Sequence, residues 1–277
     1  AASVEATPSL EIAVAASDLI ILAVPSACLR QALRDLKKYL KSSVIFLNTA
    51  KGLEPKTNLM MSAVAKSELK GAKIKFKWAT LSGGMIASEV VAGFPLGAQI
   101  AGADKKVAEK LVCVLGAKNL HLEASSDVIG IELAGAFKNV IAIGAGLFDG
   151  LGLEASSKSA FISYAAREAE ALAVCMGADK KTFAAGSQAW WGDLLTTCFG
   201  QSRNRAFGEA IGKLGSSRQA LAQVIGASGT VEGYETTAVV RRLIARHKLK
   251  APLLEMIYKI LYKKMPVKTL ASKLNNW

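Results

Sequence analysis

Long uncharged hydrophobic runs are missing from this chain. No stretch offers the roughly 18 consecutive apolar residues of a membrane helix, so no membrane span is expected. Histidine is nearly absent: His121 and His247 stand far apart and match no metal-ligand spacing, which argues against a zinc site or a histidine-based triad. The cysteines Cys28, Cys113, Cys175 and Cys198 are scattered without paired spacing. They read as reduced thiols, which sets the expectation of a cytoplasmic protein, with an organelle as the alternative. The opening residues carry no charged n-region, so no signal peptide is expected. Also missing is a strand running into Gly-x-Gly-x-x-Gly. The near match Gly144-Ala-Gly146-Leu-Phe-Asp-Gly150 has the wrong spacing inside a helical pattern, so it is expected to serve packing or a helix end.

What is present is ample apolar material: 277 residues, 51% hydrophobic, enough for a sizeable core and better suited to two domains than one. The formal net charge is +13, with clusters at Lys70–Lys77, Arg241–Lys250 and Lys259–Lys264. Such clusters suit an anionic ligand or a nucleic-acid surface, but they lack the interleaved aromatics of a single-strand platform. Solvated faces and no nucleic-acid partner are the expectation.

Asp18-Leu-Ile-Ile-Leu-Ala-Val-Pro25 has the form of a strand buried on both faces, and Ser26 caps a helix to about Leu40. Val44–Asn48 is a second strand, Asn58–Leu69 a helix and Ile74–Leu81 a third strand. This alternation predicts a doubly wound parallel sheet, in which the loops at Pro25, Lys51 and Ser82 converge beyond the carboxyl ends of the strands. Leu96–Ala101 and Leu120–Leu122 read as edge strands around a helix from Asp104 to Leu115. After Ser125 the strand signal stops. Helices are expected over 127–147, 157–176, 179–186, near 203–212, and over 217–226, 232–247, 252–263 and 266–274. The boundary falls near 124, giving an α/β domain over 1–124 and an all-helical domain over 125–277.

The stretch Gly130–Gly150 is the most informative. Small or apolar residues cover nearly every face of this helix, which Ser125-Ser126-Asp127 can cap, yet Lys138 and Asn139 sit in its middle. A lysine there either reaches out to solvent or is held in a cleft, where desolvation lowers its pKa enough for proton transfer near neutrality. Lys51, Asp193 with Thr197, and Ser202-Arg203-Asn204-Arg205 also interrupt apolar or loop sequence. Two lysines brought together lower each other's pKa, and an aspartate beside them holds the ammonium groups. Ser202, Arg203 and Asn204 at a helix start suit a phosphate. Each has an ordinary reading as well: Asp193 as a helix cap, Arg203 in a surface ion pair, Lys51 as a solvated loop residue.

Six segments then carry a resemblance: Asn48-Thr-Ala-Lys-Gly-Leu-Glu54, Asp127-Val-Ile-Gly-Ile-Glu-Leu133, Phe137-Lys-Asn-Val-Ile-Ala142, Gly192-Asp-Leu-Leu-Thr-Thr197, Ser202-Arg-Asn-Arg205 and Val231-Glu-Gly233. In this order they resemble the NAD(P)-dependent glycerol-3-phosphate dehydrogenase family. The resemblance implies hydride transfer at C2 between sn-glycerol 3-phosphate and dihydroxyacetone phosphate, with NAD or NADP as cofactor, in a homodimer acting on a small molecule. It implies Lys138 as the proton-transferring lysine and Lys51 as the lysine that orients the C2 oxygen. It further implies Asn139, Asp193 and Thr197 as substrate- or lysine-binding residues, and Ser202, Arg203 and Asn204 at the phosphate, with Arg203 also near the cofactor. Pro25, Ala87 and Glu232 match positions that line the nicotinamide.

The family's first strand and glycine-rich turn have no counterpart here. The implied fold is therefore an N-terminally truncated Rossmann-type parallel sheet domain, followed by a helical domain similar to the C-terminal part of 6-phosphogluconate dehydrogenases. Glu154-Ala-Ser-Ser157 and Trp190-Trp191 depart from the family pattern, so the resemblance carries over to the lysines and not to the rim of the substrate pocket. Two other functions fit the same residues: a 6-phosphogluconate- or 3-hydroxyacid-type dehydrogenase, or a non-catalytic basic binding protein.

Overall fold

The computed structural model describes residues 4–274 apart from 16, 41, 42, 73 and 229. Its first part is a sheet of strands β1 (Leu19–Leu22), β2 (Val44–Asn48), β3 (Phe76–Gly83), β4 (Leu96–Gly102) and β5 (Leu120–Ser125), lying side by side in chain order. Around it lie the helices α1 (Leu10–Val14), α2 (Leu29–Lys37), α3 (Met61–Glu68), α4 (Ala87–Val91) and α5 (Lys105–Leu115). Leu29, Leu33, Met61 and Val64 pack with Phe46 on one face, while Val107, Ala108 and Leu111 pack with Leu47 and Ile100 on the other. Helices therefore cover both faces, as runs such as Val44-Ile-Phe-Leu require.

Two sheet expectations are corrected. β1, β2 and β3 run parallel, but β4 returns antiparallel to β3, and β5 is parallel to β4. β4 is also an interior strand and not an edge. The only helix between β3 and β4 is the five-residue α4, too short for the crossover that a parallel return needs. The chain folds straight back.

After β5 the chain is helical through α6 (Val128–Gly150), α7 (Ala155–Cys175), α8 (Asp193–Phe199), α9 (Arg203–Leu214), α10 (Ser217–Ser228), α11 (Glu232–His247), α12 (Pro252–Lys263) and α13 (Lys268–Leu274). The expected helix over 179–186 shrinks to a 3-10 turn, Lys180–Phe183, and the expected start at Asn58 moves to Met61. Helical structure over Gln188–Phe199 was not foreseen: a π-turn, Gln188–Gly192, runs into α8.

α6 is the axis of the helical part. Asp127 caps it, Oδ1 accepting from the Gly130 amide at 2.8 Å. By length and composition α6 could cross a membrane, but 89% of its most apolar window is buried inside the protein. Its glycines let α9 lie against it. A Cβ at Gly146 would stand 2.0 Å from the Arg205 carbonyl oxygen, and Gly150 meets Gly212 in the same way. The Gly144–Gly150 segment is thus packing, as expected of it.

One α6 side chain reaches into the sheet. Glu132 accepts from Trp78 Nε1 at 2.9 Å and from the amide and hydroxyl of Ser62 at 3.0 and 2.9 Å. The residue before α3, Met60, has no capping side chain, so Glu132 supplies the cap from elsewhere in the chain.

Candidate active site

The loops after β1, β2 and β3 meet α6, α8 and α9 around a cleft of about 530 Å³. Its lining includes Pro25, Lys51, Lys138, Asn139, Asp193, Thr197, Ser202, Arg203, Asn204 and Glu232. Of the expected site residues only Ala87 stands apart, exposed on the first turn of α4 while its neighbours Met85 and Ile86 line the wall.

Asp193 is the centre. Its Oδ1 lies 2.5 Å from Lys138 Nζ and its Oδ2 lies 2.7 Å from Lys51 Nζ, so one carboxylate holds a lysine from each part of the chain. Ser82 Oγ also donates to Oδ2, at 3.2 Å. Lys138 donates to Thr197 Oγ1 at 2.8 Å, and that hydroxyl donates to the Asp193 carbonyl at 2.6 Å. Lys51 donates a second bond to the Gly83 carbonyl at 2.7 Å. The loop that carries Lys51 is shaped by buried Asn48, whose side chain accepts from the Ala50 amide and donates to the Ala50 carbonyl, each at 3.1 Å.

The electrostatics come from this packing. Burial pushes Lys138 down to about 8, Asp193 opposing the shift and Lys51 adding to it. Burial works against the charge on Asp193, but the two lysines outweigh it and hold the carboxyl below its usual range. A lysine able to give or take a proton near neutrality thus sits 2.5 Å from an anion that stays charged.

A row of amides links this centre to the far end of the cleft. Asn139 Nδ2 donates to the Lys51 carbonyl at 3.1 Å, Asn204 Nδ2 donates to Asn139 Oδ1 at 3.0 Å, and the Gly233 amide donates to Asn204 Oδ1 at 2.9 Å. A Cβ at Gly233 would stand 2.7 Å from Asn204 Oδ1, so glycine is what lets α11 close on this row. Ser202 caps α9, accepting from the Arg205 amide, and places Arg203 and Asn204 on its first turn, at the positive end of the helix. Glu232 is raised by burial, against the Ser26 amide that donates to it and the Arg203 charge. Glu232 and Pro25 therefore meet at one end of the cleft.

Several residues were missed or misplaced by sequence reasoning. The Ser82 loop meets the cleft as expected, but the bond from Ser82 Oγ to Asp193 and the loop-shaping bonds of Asn48 were not read from the sequence. Trp190 is in the core, its ring 4.9 Å from that of Phe183, and neither tryptophan lines the cleft. Glu154–Ser157 opens α7 at the surface, also away from the cleft. Among the described residues no cluster of histidine, cysteine or carboxylate could hold a metal.

An α/β sheet joined to a helical part, with a desolvated lysine at the floor of the cleft between them, is the layout of a two-domain dehydrogenase. Residues 1–108 match the N-terminal and residues 127–272 the C-terminal family of NAD-dependent glycerol-3-phosphate dehydrogenase. The chain belongs to the NAD-dependent glycerol-3-phosphate dehydrogenase family. It is 38% identical to a glycerol-3-phosphate dehydrogenase [NAD(P)+] of Tolumonas auensis, the match covering 94% of this chain and 76% of the relative. It is 41% identical to the enzyme of that name from Shewanella halifaxensis, over 93% and 75% of the two chains. A crystal structure of glycerol-3-phosphate dehydrogenase from Coxiella burnetii superposes with a TM-score of 0.88 at 27% identity, over 97% of this chain and 80% of that one.

Proposed function

We propose that this cleft interconverts sn-glycerol 3-phosphate and dihydroxyacetone phosphate with NAD or NADP, residues 1–124 serving the cofactor and residues 125–277 the substrate. The observation that carries the reading is Asp193, bonded to Lys138 and Lys51 at once. Lys138 in its neutral form takes the C2 hydroxyl proton as the C2–H bond breaks with its electron pair, and returns that proton in the reverse direction. Lys51, held between Asp193 and the Gly83 carbonyl, points its terminal N–H at the C2 oxygen and stabilises negative charge developing there. Asp193 and Thr197 keep Lys138 on its line. Arg203 and Asn204, with Ser202 at the start of α9, take the phosphate, which fixes C2 over the lysines.

The residues present fit the nicotinamide end of the cofactor. Ala23, Val24, Pro25, Met85 and Ile86 give an apolar wall beside Lys51, with Glu232 and Arg203 at its border. NAD(P) supplies the hydride acceptor and donor. The same reading makes the protein a cytoplasmic homodimer that acts on a small molecule and has no nucleic-acid partner, which light scattering, cell fractionation and a filter-binding assay test.

The deciding assay follows nicotinamide reduction by the purified chain with glycerol 3-phosphate, 6-phosphogluconate or 3-hydroxy acids. Turnover of glycerol 3-phosphate that Lys138→Met lowers by about 100-fold or more is the expected result. A preference for 3-hydroxy acids, or turnover that loss of the amine leaves near the wild-type rate, sinks the proposal.

A further inference from the structure

Asp193 is aimed by the segment before it, and that segment is held by a side chain of the sheet that lies outside the cleft. The Gly192 amide donates to the Ser187 carbonyl, five residues back, at 3.1 Å. This π-turn holds one residue more than an α-turn, and each residue rotates the chain beyond it by about 100° about the helix axis. The direction of Asp193, the next residue, therefore depends on where the wide turn is fixed.

It is fixed at its start. The Ser187 hydroxyl and the Ala189 amide both donate to Gln99 Oε1, at 2.9 and 3.1 Å, and Ser187 Oγ accepts from the Trp190 amide at 3.2 Å. Gln99 Nε2 donates to Glu123 Oε2 on β5 at 3.0 Å. A carboxylate only accepts, so Glu123 decides which end of the Gln99 amide faces Ser187. The seat is close-fitting: a Cβ at Gly84 would stand 2.9 Å from the Gly192 carbonyl oxygen, and one at Gly97 would stand 2.8 Å from the Gln188 side chain. Neither Gln99 nor Ser187 lines the cleft.

We propose that Gln99 is a positioning residue for catalysis: its carboxamide, oriented by Glu123, pins the π-turn and so sets where Asp193 stands between Lys51 and Lys138. Each Asp193 oxygen is committed to a different lysine, at 2.5 and 2.7 Å, so a turn that slips on its seat breaks one contact to keep the other. A displacement of about 1 Å in such a constellation costs up to roughly 100-fold in rate. The inference rests on the role given to Asp193 above.

The test compares wild type, Gln99→Met, Ser187→Ala and the double variant Gln99→Glu/Glu123→Gln. Methionine keeps the length and removes both polar ends. In the double variant the new carboxylate accepts from Ser187, from Ala189 and from the new amide at position 123, so the whole network is rebuilt with donor and acceptor exchanged. Gln99→Met is expected to lower kcat about 10-fold or more and to displace the pH limb of glycerol 3-phosphate oxidation, and the double variant to recover kcat to within about 3-fold. Should the methionine variant not fold, Ser187→Ala is read by the same two measures. Wild-type kcat and an unmoved limb in the folded variant overturn the proposal, as does a double variant no better than the single one. If the wild type itself does not oxidise glycerol 3-phosphate, the functional reading fails alone. The near-UV dichroism of the Trp190–Trp191 pair then decides: a change in the single variant that the double variant reverses supports Gln99, and no change overturns it.

Discussion

Gly208 rests against the carbonyl oxygen of Ile143 so closely that a Cβ at Gly208 would stand 2.0 Å from it. α9 carries Arg203 and Asn204, α6 carries Lys138 and Asn139, and this contact sets the gap between the two pairs. Gly208→Ala therefore forces α9 away from α6, since a backbone oxygen cannot swing aside. The expected cost is about 1–3 kcal/mol of stability and a KM for glycerol 3-phosphate raised several-fold. Gly226→Ala, where nothing lies within 4 Å, is the control and leaves KM unchanged. Denaturant melts and steady-state kinetics of both variants check this.

In the proposed mechanism Lys138 gives the reaction its pH dependence. Its amine, lowered to about 8 by burial, must be neutral to accept the hydroxyl proton and charged to return it. Oxidation of glycerol 3-phosphate is expected to rise with pH through about 8 and reduction of dihydroxyacetone phosphate to fall through the same range. Lys138→Met should remove roughly 100- to 10,000-fold of kcat in both directions. Rate profiles measured in each direction would contradict this if both rose together.

Asp193→Asn keeps the shape of the side chain and removes the anion between two cations. Breaking a buried pair of this kind costs about 3–5 kcal/mol, because the remaining charge keeps its burial without its partner. The lysine limb should also move to lower pH, as the group that raises the Lys138 pKa is gone. Stability and a rate profile of the variant test both statements.

Glu132 should make the protein less stable as pH rises between the ordinary carboxyl value, 4.5, and about 7, to which burial raises it. In that window the folded state keeps a proton that the unfolded chain releases, so stability falls with pH and levels off above about 7. The shift corresponds to about 3 kcal/mol. Glu132→Gln abolishes this component, so the difference between wild type and variant in chemical denaturation should change by about that amount between pH 5 and pH 8. A constant difference over that range contradicts the assignment.

What the sequence disclosed depended on contrast. Lys138 stands out because α6 is otherwise apolar, and Lys51, Asp193 and Arg203 stand out because each interrupts an apolar run or opens a helix. Their partnership is a matter of tertiary structure: Lys51 and Asp193 stand 142 residues apart in the chain, and only the resemblance joined them beforehand. The direction of β4 was hidden because a strand's apolar pattern is the same whichever way it runs. The π-turn was hidden for a related reason, since one wide turn has no period of its own. Glu132 was visible as an interruption of α6, but its partners, Ser62 on α3 and Trp78 on β3, leave no trace in its local sequence.

The row of amides from Lys51 to Gly233 begins at a main-chain carbonyl and ends at a main-chain N–H. Neither of those groups can exchange its role, so every side-chain amide between them is compelled to face one way. Asn139 and Asn204 are thus oriented like magnets on a rail whose poles are welded at both ends, and neither can turn over without facing like against like. The proposed phosphate end and proton-transfer end of the cleft therefore share one polarity, written into the backbone before any substrate arrives.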